Sequence, residues 1–389
     1  MVISAAVRLK KIICILICLI YCLLGQSEIV AANASLETLT AKSIYLFEAR
    51  TGRVIYEKNS EDRLFPASTT KMMTTLLALE QGNLNDLVTV GADAAGLEGS
   101  SMQLRFGDKL SLEDLLYGIM MVSGNDATVA VADHLAGNVS VFAKMMTNRA
   151  KEIGAVNTNF MNSSGLPASN HYSTAADLGK IAQFAYNNTK FRQLIKTQCR
   201  EIHIQSGRKL VLENTNLLLG SYQGSNGIKT GYTRAAGECL VASAERNGVH
   251  LIAVLMNVQK DQRWREAKTL LDYGFEKIKA QFMFDRHALV KDIHVHDGTT
   301  YKITARPKMD IVLPIMNNDS KDFSLKWEIP DFVEAPIRSG QQFGYVKIMY
   351  KGQEVDKMEM IADQDVKRGF SIFSKLVACF DVLWKCFND

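Results

Sequence analysis

Three short clusters in this sequence bring nucleophilic, basic and amide side chains close together. The first is Pro66-Ala67-Ser68-Thr69-Thr70-Lys71, which opens an apolar run from Met72 to Leu79. Ser68 and Lys71 are three residues apart, so on a helix both side chains leave one face and can touch. A serine hydroxyl is a poor nucleophile until a neighbouring base takes its proton. A lysine can be that base when burial or nearby positive charge keeps it neutral for part of the time. A helix N-terminus also favours the negative charge that develops near Ser68. The second cluster, Ser123-Gly124-Asn125, sits at a break between two helical stretches, where a hydroxyl and an amide can point into a cleft. The third, Lys229-Thr230-Gly231, follows Gly227-Ile228 in a strand-like stretch. It offers a cation, a hydroxyl and a residue small enough for a ligand to reach the backbone. Taken singly, each cluster reads more readily as structure than as catalysis: an N-cap with a surface lysine, a helix break, a strand. Their order and spacing together carry more than any one of them.

Such groups need a scaffold, and the patterning supplies one. Ser43 to Phe47 and Arg53 to Tyr56, separated by Thr51-Gly52, form a hairpin pattern. Ser111 with Asp114 caps a helix whose Leu112, Leu115, Leu116, Ile119 and Met120 share a face. Further helices are expected from the Val139 region to Ile153 and from about Thr174 to Asn187. Gly227 to Thr233, Cys239 to Ala244 and Val249 to Val258 read as three strands, followed by a helix near Arg263 to Lys279. Strands at both ends of the segment with helices between them imply an α/β layer fold in which the terminal strands share one sheet. Beyond about Phe282 the pattern becomes short alternating runs separated by turn residues such as Asp297-Gly298 and Lys351-Gly352, the signature of a small all-β domain.

In their order and spacing, the Ser-x-x-Lys, Ser-x-Asn and Lys-Thr-Gly clusters match the set found in penicillin-binding proteins and β-lactamases. The chain resembles the low-molecular-mass penicillin-binding proteins that are serine-type D-alanyl-D-alanine carboxypeptidases, the peptidase S11 family. Gly165-Leu166-Pro167, His171-Tyr172-Ser173-Thr174 and the stretch Gly227 to Thr233 belong to the same resemblance. It implies a β-lactamase/transpeptidase-like catalytic domain, an antiparallel sheet flanked by helices, then a β-sandwich and a C-terminal amphipathic helix. It further implies that Ser68 attacks the penultimate D-Ala carbonyl of a peptidoglycan stem peptide, with Lys71 as base and Ser123 as proton relay. Asn125 would orient the substrate amide and Lys71, Lys229 and Thr230 would hold the terminal carboxylate, and Gly231 lies among the substrate-binding residues. The backbone N–H groups of Ser68 and Tyr232 would form the oxyanion hole. Arg263 resembles the carboxylate-side arginine, although Arg265 competes for that place. β-Lactam antibiotics would acylate Ser68, and no metal or organic cofactor is implied. The alternatives are a D,D-endopeptidase, a β-lactamase and a non-catalytic peptidoglycan-binding scaffold. The glutamate that deacylates class A β-lactamases has no counterpart in Asn157 to Asn162.

The two ends suggest where the protein works. Arg8, Lys10 and Lys11 precede the apolar run Ile12 to Leu24 and an Ala32-Asn33-Ala34 site, the parts of a cleavable export signal covering 1–34. At the other end Phe373, Leu376, Val377, Phe380, Leu383, Trp384 and Phe387 share one helical face, with Lys367 and Arg368 just before them. Such a helix lies in a bilayer interface rather than crossing it. The expected organisation is therefore a signal at 1–34, a catalytic domain at 35–281, a β-sandwich at 282–366 and a membrane-anchoring helix at 367–389. This places the protein on the outer face of the bacterial cytoplasmic membrane. The 389 residues carry 45 Lys and Arg against 41 Asp and Glu, a balance that gives no basis for a nucleic-acid partner. His294 and His296 share a strand face but lack an evident third ligand, so they read as surface histidines rather than a metal site. Whether Cys199 and Cys239 pair is left open.

Overall fold

The computed structural model describes residues 36–369. The signal-like segment and residues 370–389 of the amphipathic segment lie outside the described residues. Residues 367–369 are extended, with backbone hydrogen bonds to Asp297 and Thr299. The described chain divides into two compact units, one of 36–46, 56–244 and 252–274, the other of 47–55, 245–251 and 275–369.

The first unit is organised around an antiparallel sheet. Strands β1 (Ser43–Glu48) and β2 (Val54–Lys58) open it. The short pairs β3 (Leu87–Thr89) with β4 (Lys109–Ser111) and β5 (Cys199–His203) with β6 (Lys209–Glu213) lie outside it. Strands β7 (Ser225–Thr233), β8 (Gly237–Arg246) and β9 (Val249–Val258) complete it in the order β2-β1-β9-β8-β7. The first and last strands of this segment therefore meet in one sheet, as the alternation of elements implied. β9 carries the near-continuous apolar run VHLIAVLMNV, and that composition suits the middle position it occupies. β7 is left at an edge, where one side of its backbone has no strand partner.

The helices are α1 (Lys71–Gln81), α2 (Leu112–Met121), α3 (Asn125–Ala136), α4 (Val139–Glu152), α5 (Ala175–Tyr186), α6 (Thr189–Lys196) and α7 (Arg263–Lys277). Every residue of α1 from Lys71 to Ala78 is buried, and α2, α3, α4, α5 and α6 all pack against it. A helix buried on all sides has no solvent face, so it becomes the centre of a helical layer. The expected cap is present, Ser111 accepting from the Asp114 N–H at 3.1 Å, and Thr174 caps α5 in the same way, accepting from the Asp177 N–H at 3.0 Å. Fully buried Glu266 of α7 accepts from the Thr40 N–H (2.8 Å), the Thr40 hydroxyl (2.6 Å) and the Ala41 N–H (3.1 Å), pinning the chain just before β1.

In the second unit, β10 (Ile278–Phe284) pairs with β13 (Ile311–Met316). Six strands form the other sheet, in the order β14-β16-β17-β12-β11-β15: β11 (Lys291–His296), β12 (Lys302–Pro307), β14 (Phe323–Glu328), β15 (Phe332–Glu334), β16 (Gln342–Tyr350) and β17 (Gln353–Ala362). Ile293, Ile303, Ile311, Val346 and Met360 from both sheets share one core, the arrangement of a sandwich. α7 stops at Lys277 and β10 starts at Ile278, so the helix expected to reach Lys279 ends two residues earlier.

Candidate active site

The nucleophile stands where α1 begins. Ala67 to Thr70 make a single 3-10 turn that runs directly into α1, and Ala67 takes the left-handed value φ 47°. This turn sets Ser68 at the surface of the cleft while Lys71, one turn on, is fully buried. The Lys71 ammonium group lies 2.9 Å from the Ser68 hydroxyl, 2.8 Å from Asn125 Oδ1 and 2.7 Å from the Ser164 carbonyl. These partners match the three hydrogens of an ammonium, yet all are neutral. Burial, and then the charge of Lys229, holds the Lys71 pKa well below its ordinary value, with Asp126 opposing. The result is a lysine poised to accept a proton from the serine it touches.

The Ser164 carbonyl reaches Lys71 because the next residue is glycine. Gly165 has φ 88°, and a Cβ there would lie 1.8 Å from the Ala67 carbonyl oxygen, so no other residue fits. Asn162 secures the bend by accepting from the N–H groups of Ser164 (3.2 Å) and Gly165 (2.8 Å).

Ser123 and Asn125 come from the break between α2 and α3. Ser123 is in the left-handed region at φ 61°, a strained value for serine and of the kind that concentrates at functional sites. Its hydroxyl is buried and has no hydrogen-bond partner among the described residues. Asn125 is the first residue of α3; its Nδ2 donates to the Glu98 carbonyl at 2.9 Å, which fixes the amide so that Oδ1 faces Lys71.

The residue that holds this arrangement was not singled out from sequence. Asp126, fully buried, accepts from the Ser101 hydroxyl (2.6 Å) and from the N–H groups of Met102 and Leu104 (3.0 Å each). It thereby shapes the loop that supplies the Glu98 carbonyl. His171 is a second such residue. Its Nδ1 accepts from the Met161 N–H at 3.1 Å, which leaves the proton on Nε2 to donate to Thr70 Oγ1 at 3.0 Å. Burial pushes the His171 pKa down to about 4, so it stays neutral and ties the 161–171 loop to the nucleophile's turn.

The facing wall is β7. Gly231 passes so close to the nucleophile that a Cβ would lie 3.1 Å from the Ser68 backbone nitrogen. Thr230 Oγ1 is 3.1 Å from Thr215 Oγ1, a pair of hydroxyls at the cleft, and Tyr232 is largely exposed. Lys229 is almost wholly buried and donates to the Thr230 carbonyl at 3.1 Å. Its pKa is pushed down to about 7, first by burial and then by the Arg263 guanidinium. Arg263 donates to the Gly231 carbonyl at 3.3 Å and its Nε lies 3.8 Å from Glu238. Arg265, the competing choice, instead donates to Gln262 on an exposed surface. The structure thus links Ser68, Lys71, Asn125, Lys229, Gly231 and Arg263 by contact or by charge, with Ser123 and Thr230 close by in the chain.

Among the described residues no group of three His, Cys, Asp or Glu side chains is placed to hold a metal. His296 stacks edge-on against Phe332 at 5.5 Å. Cys199 is exposed, Cys239 is buried, and both are free thiols.

A serine on the turn that leads into a buried helix, a buried lysine beside it with a lowered pKa and an edge strand opposite define an acyl-transferring serine enzyme. The chain belongs to the peptidase S11 family, D-alanyl-D-alanine carboxypeptidase, whose model matches residues 29–260. The model of the penicillin-binding protein 5 C-terminal domain matches residues 279–368. The chain is 35% identical over 346 residues to the D-alanyl-D-alanine carboxypeptidase DacF of Bacillus subtilis, covering 86% of this chain and 88% of that one. Among solved structures it is similar to penicillin binding protein 5 from Haemophilus influenzae, with TM-score 0.60 and 30% identity over 85% of this chain and 98% of that one. It is also similar to the Streptomyces K15 DD-transpeptidase, with TM-score 0.59 and 34% identity over 61% of this chain and 98% of that one.

Two measurements check this geometry. Asp126→Ala leaves the Met102 and Leu104 N–H groups buried without an acceptor, and a loss of about 3 kcal/mol in unfolding free energy is expected in denaturant titration. An unchanged midpoint would refute the clamp. For Lys229, the unfolded chain titrates near 10.5 and the folded protein near 7. Between those values only the unfolded chain keeps the proton, so raising the pH across that window favours folding. Lys229→Met is therefore expected to be more stable than wild type at pH 7, by a margin that shrinks steadily toward pH 10; a constant margin counts against a buried, depressed lysine.

Proposed function

We propose that this chain is a serine D-alanyl-D-alanine carboxypeptidase that trims peptidoglycan stem pentapeptides in cell-wall biogenesis. The observation that carries the reading is the 2.9 Å contact between the Ser68 hydroxyl and a buried Lys71 whose pKa is depressed. Neutral Lys71 takes the Ser68 proton as Oγ attacks the carbonyl carbon of the penultimate D-Ala. The backbone N–H groups of Ser68 and Tyr232 stabilise the resulting oxyanion. As the C–N bond breaks, the proton passes from Lys71 through Ser123 to the departing amine, and the free hydroxyl of Ser123 suits that transit. Lys229, Thr230 and Arg263 hold the substrate's terminal carboxylate, and Asn125 aligns the stem amide with Lys71. Water then attacks the acyl-enzyme and regenerates Ser68. A β-lactam meets the same serine and forms the same kind of ester.

The partners of Lys71 are a hydroxyl, an amide oxygen and a carbonyl. With no carboxylate among them, the site differs from that of a class A β-lactamase, where a glutamate drives deacylation. An endopeptidase acting on D,D cross-links would use the same residues, and a higher rate on a cross-linked dimer than on a pentapeptide would favour it.

Export and anchoring are part of the same proposal. The basic and apolar segment at 1–34 acts as a signal, and the apolar face centred on Trp384 seats 367–389 on the outer face of the cytoplasmic membrane. Among the described residues no helix is long and apolar enough to cross a bilayer.

Wild type is expected to bind fluorescent penicillin covalently and to release one alanine from a D-Ala-D-Ala peptide by mass spectrometry, and Ser68→Ala to do neither. Labelling of Ser68→Ala at the wild-type level would overturn the nucleophile. Deleting 367–389 is expected to yield active enzyme in the soluble fraction; a truncated chain that still sediments with membranes rules out this anchor.

A further inference from the structure

A cavity of about 270 Å³ in the first unit is lined by Gly107, Lys109, Gln205 and Ser206, none of which takes part in the reaction. Its walls are the turn that leads into β4 and the turn that joins β5 to β6. Both turns pass through a left-handed glycine, Gly107 at φ 81° and Gly207 at φ 89°. The two are tied together. The Gln205 N–H donates to the Lys109 carbonyl at 2.9 Å, and Arg208 donates to the Gln103 carbonyl at 3.1 Å and pairs with Asp108. The fold itself therefore shapes the cavity, as it does for most ligand sites.

The lining is rich in donors: Lys109, Ser206 and Gln205 contribute an ammonium, a hydroxyl and an amide, and no acidic residue is among them. Asp108, the chain neighbour of Lys109, is buried and already engaged, accepting from the Arg105 N–H at 2.8 Å and pairing with Arg208. Among the described residues neither Arg105 nor Lys109 has a carboxylate within ion-pair distance. Two unpaired cations beside neutral donors suit an anion, and a carboxylate gains most from charge-assisted hydrogen bonds of this kind. Phe106, between the two cations in the chain, is 74% exposed, so an arriving ligand meets an apolar side chain next to the charge. The location says which carboxylate. Gly107 is three residues past Leu104, hence at most about 10 Å from it. The Leu104 N–H is held by Asp126, next to the Asn125 that touches Lys71. The cavity thus ends the same loop that supports the catalytic site. In the proposed reaction the bound stem's own carboxylate is held at Lys229 and Thr230. Peptidoglycan, however, carries many stems, each ending in an alanine with a methyl beside a free carboxylate. A neighbouring stem can offer that pair of groups to a second site, and a polymer held at two points has a raised effective concentration at each.

We propose that this cavity is a non-catalytic site for the carboxylate end of a neighbouring stem peptide on the same glycan strand, so that the enzyme holds its polymer at two points. The proposal rests on the carboxypeptidase reading. It is tested with three substrates that carry the same pentapeptide: the free peptide, and short glycan strands bearing one pentapeptide among tetrapeptide stems whose ends are either free acids or amides. D-Alanine release gives kcat/KM on each. Wild type is expected to favour the acid-ended strands roughly tenfold over the other two at low salt, through KM. That advantage is expected to fade at about 0.5 M salt, where exposed charges are screened. Arg105→Gln combined with Lys109→Gln is expected to bring the three values within about twofold, with the free-peptide rate and penicillin acylation unchanged. Arg105→Lys combined with Lys109→Arg is expected to keep the preference. Equal wild-type values on acid-ended and amide-ended strands, or a preference that survives the double glutamine variant, overturns the site. A double glutamine variant that keeps the strand preference but no longer binds phosphatidylglycerol vesicles marks the patch as a lipid contact instead. Release of D-alanine from none of the substrates overturns the proposed activity and the site with it, a different result from equal rates.

Discussion

Two ammonium groups, Lys71 and Lys229, are enclosed in the same cleft with almost no exposure, and the rest of the site follows from that constraint. An unpaired buried cation is costly enough that the group gives up its proton instead. Neither lysine touches a carboxylate: Lys71 has a hydroxyl, an amide oxygen and a carbonyl, and Lys229 has the Thr230 carbonyl. Hydrogen bonds of this kind position a neutral or charged amine equally well without forcing it to stay charged. The central, fully enclosed place of α1, the glycine at 165 and the Asp126-held loop are what such enclosure requires.

Much of this arrangement was legible because it is local. Ser68 and Lys71 are neighbours by helical spacing alone, and Ser123 and Asn125 share one helix break. Lys229 and Gly231 share one strand. The sheet, too, was legible in outline, since the long apolar run of β9 can be satisfied only at the middle of a layer. The elements not anticipated include α6, which is only eight residues long, the short pairs β3 with β4 and β5 with β6, and β10, whose residues are mostly exposed.

What sequence spacing could not reveal was contact between distant segments. Asp126 looks like an ordinary acidic residue in the first turn of a helix, a place where the helix dipole favours acids. Its actual partners are some twenty residues earlier, in a loop whose course is set by the fold. The Ser164 carbonyl is a backbone atom and leaves no trace in residue type. His171 was noticed only as part of a motif, and its contact with Thr70 depends on how two loops cross. The choice between Arg263 and Arg265 shows the limit most clearly. Two residues apart on a helix, they point to nearly opposite sides, so only one can face the cleft, and the phase of α7 that decides between them is set by packing.

The two lysines are also coupled in a way that orders the reaction. The Lys229 pKa lies at about 7, so in the proposed reaction an arriving carboxylate would favour its protonated form and draw a proton onto it. By reciprocity, the protonated anchor holds the carboxylate more tightly. For Lys71, the substrate's negative charge offsets the positive charge gained at Lys229, while the substrate itself displaces water from the cleft. Burial is already the largest influence depressing Lys71, and a filled cleft deepens it. In the proposed reaction the depressed pKa suits Lys71 to its part as base, and a carboxylate beside Lys229 suits that lysine to its part as anchor. One enclosure thus lowers the pKa of two chemically identical side chains, and in the proposed reaction only one of them meets a carboxylate.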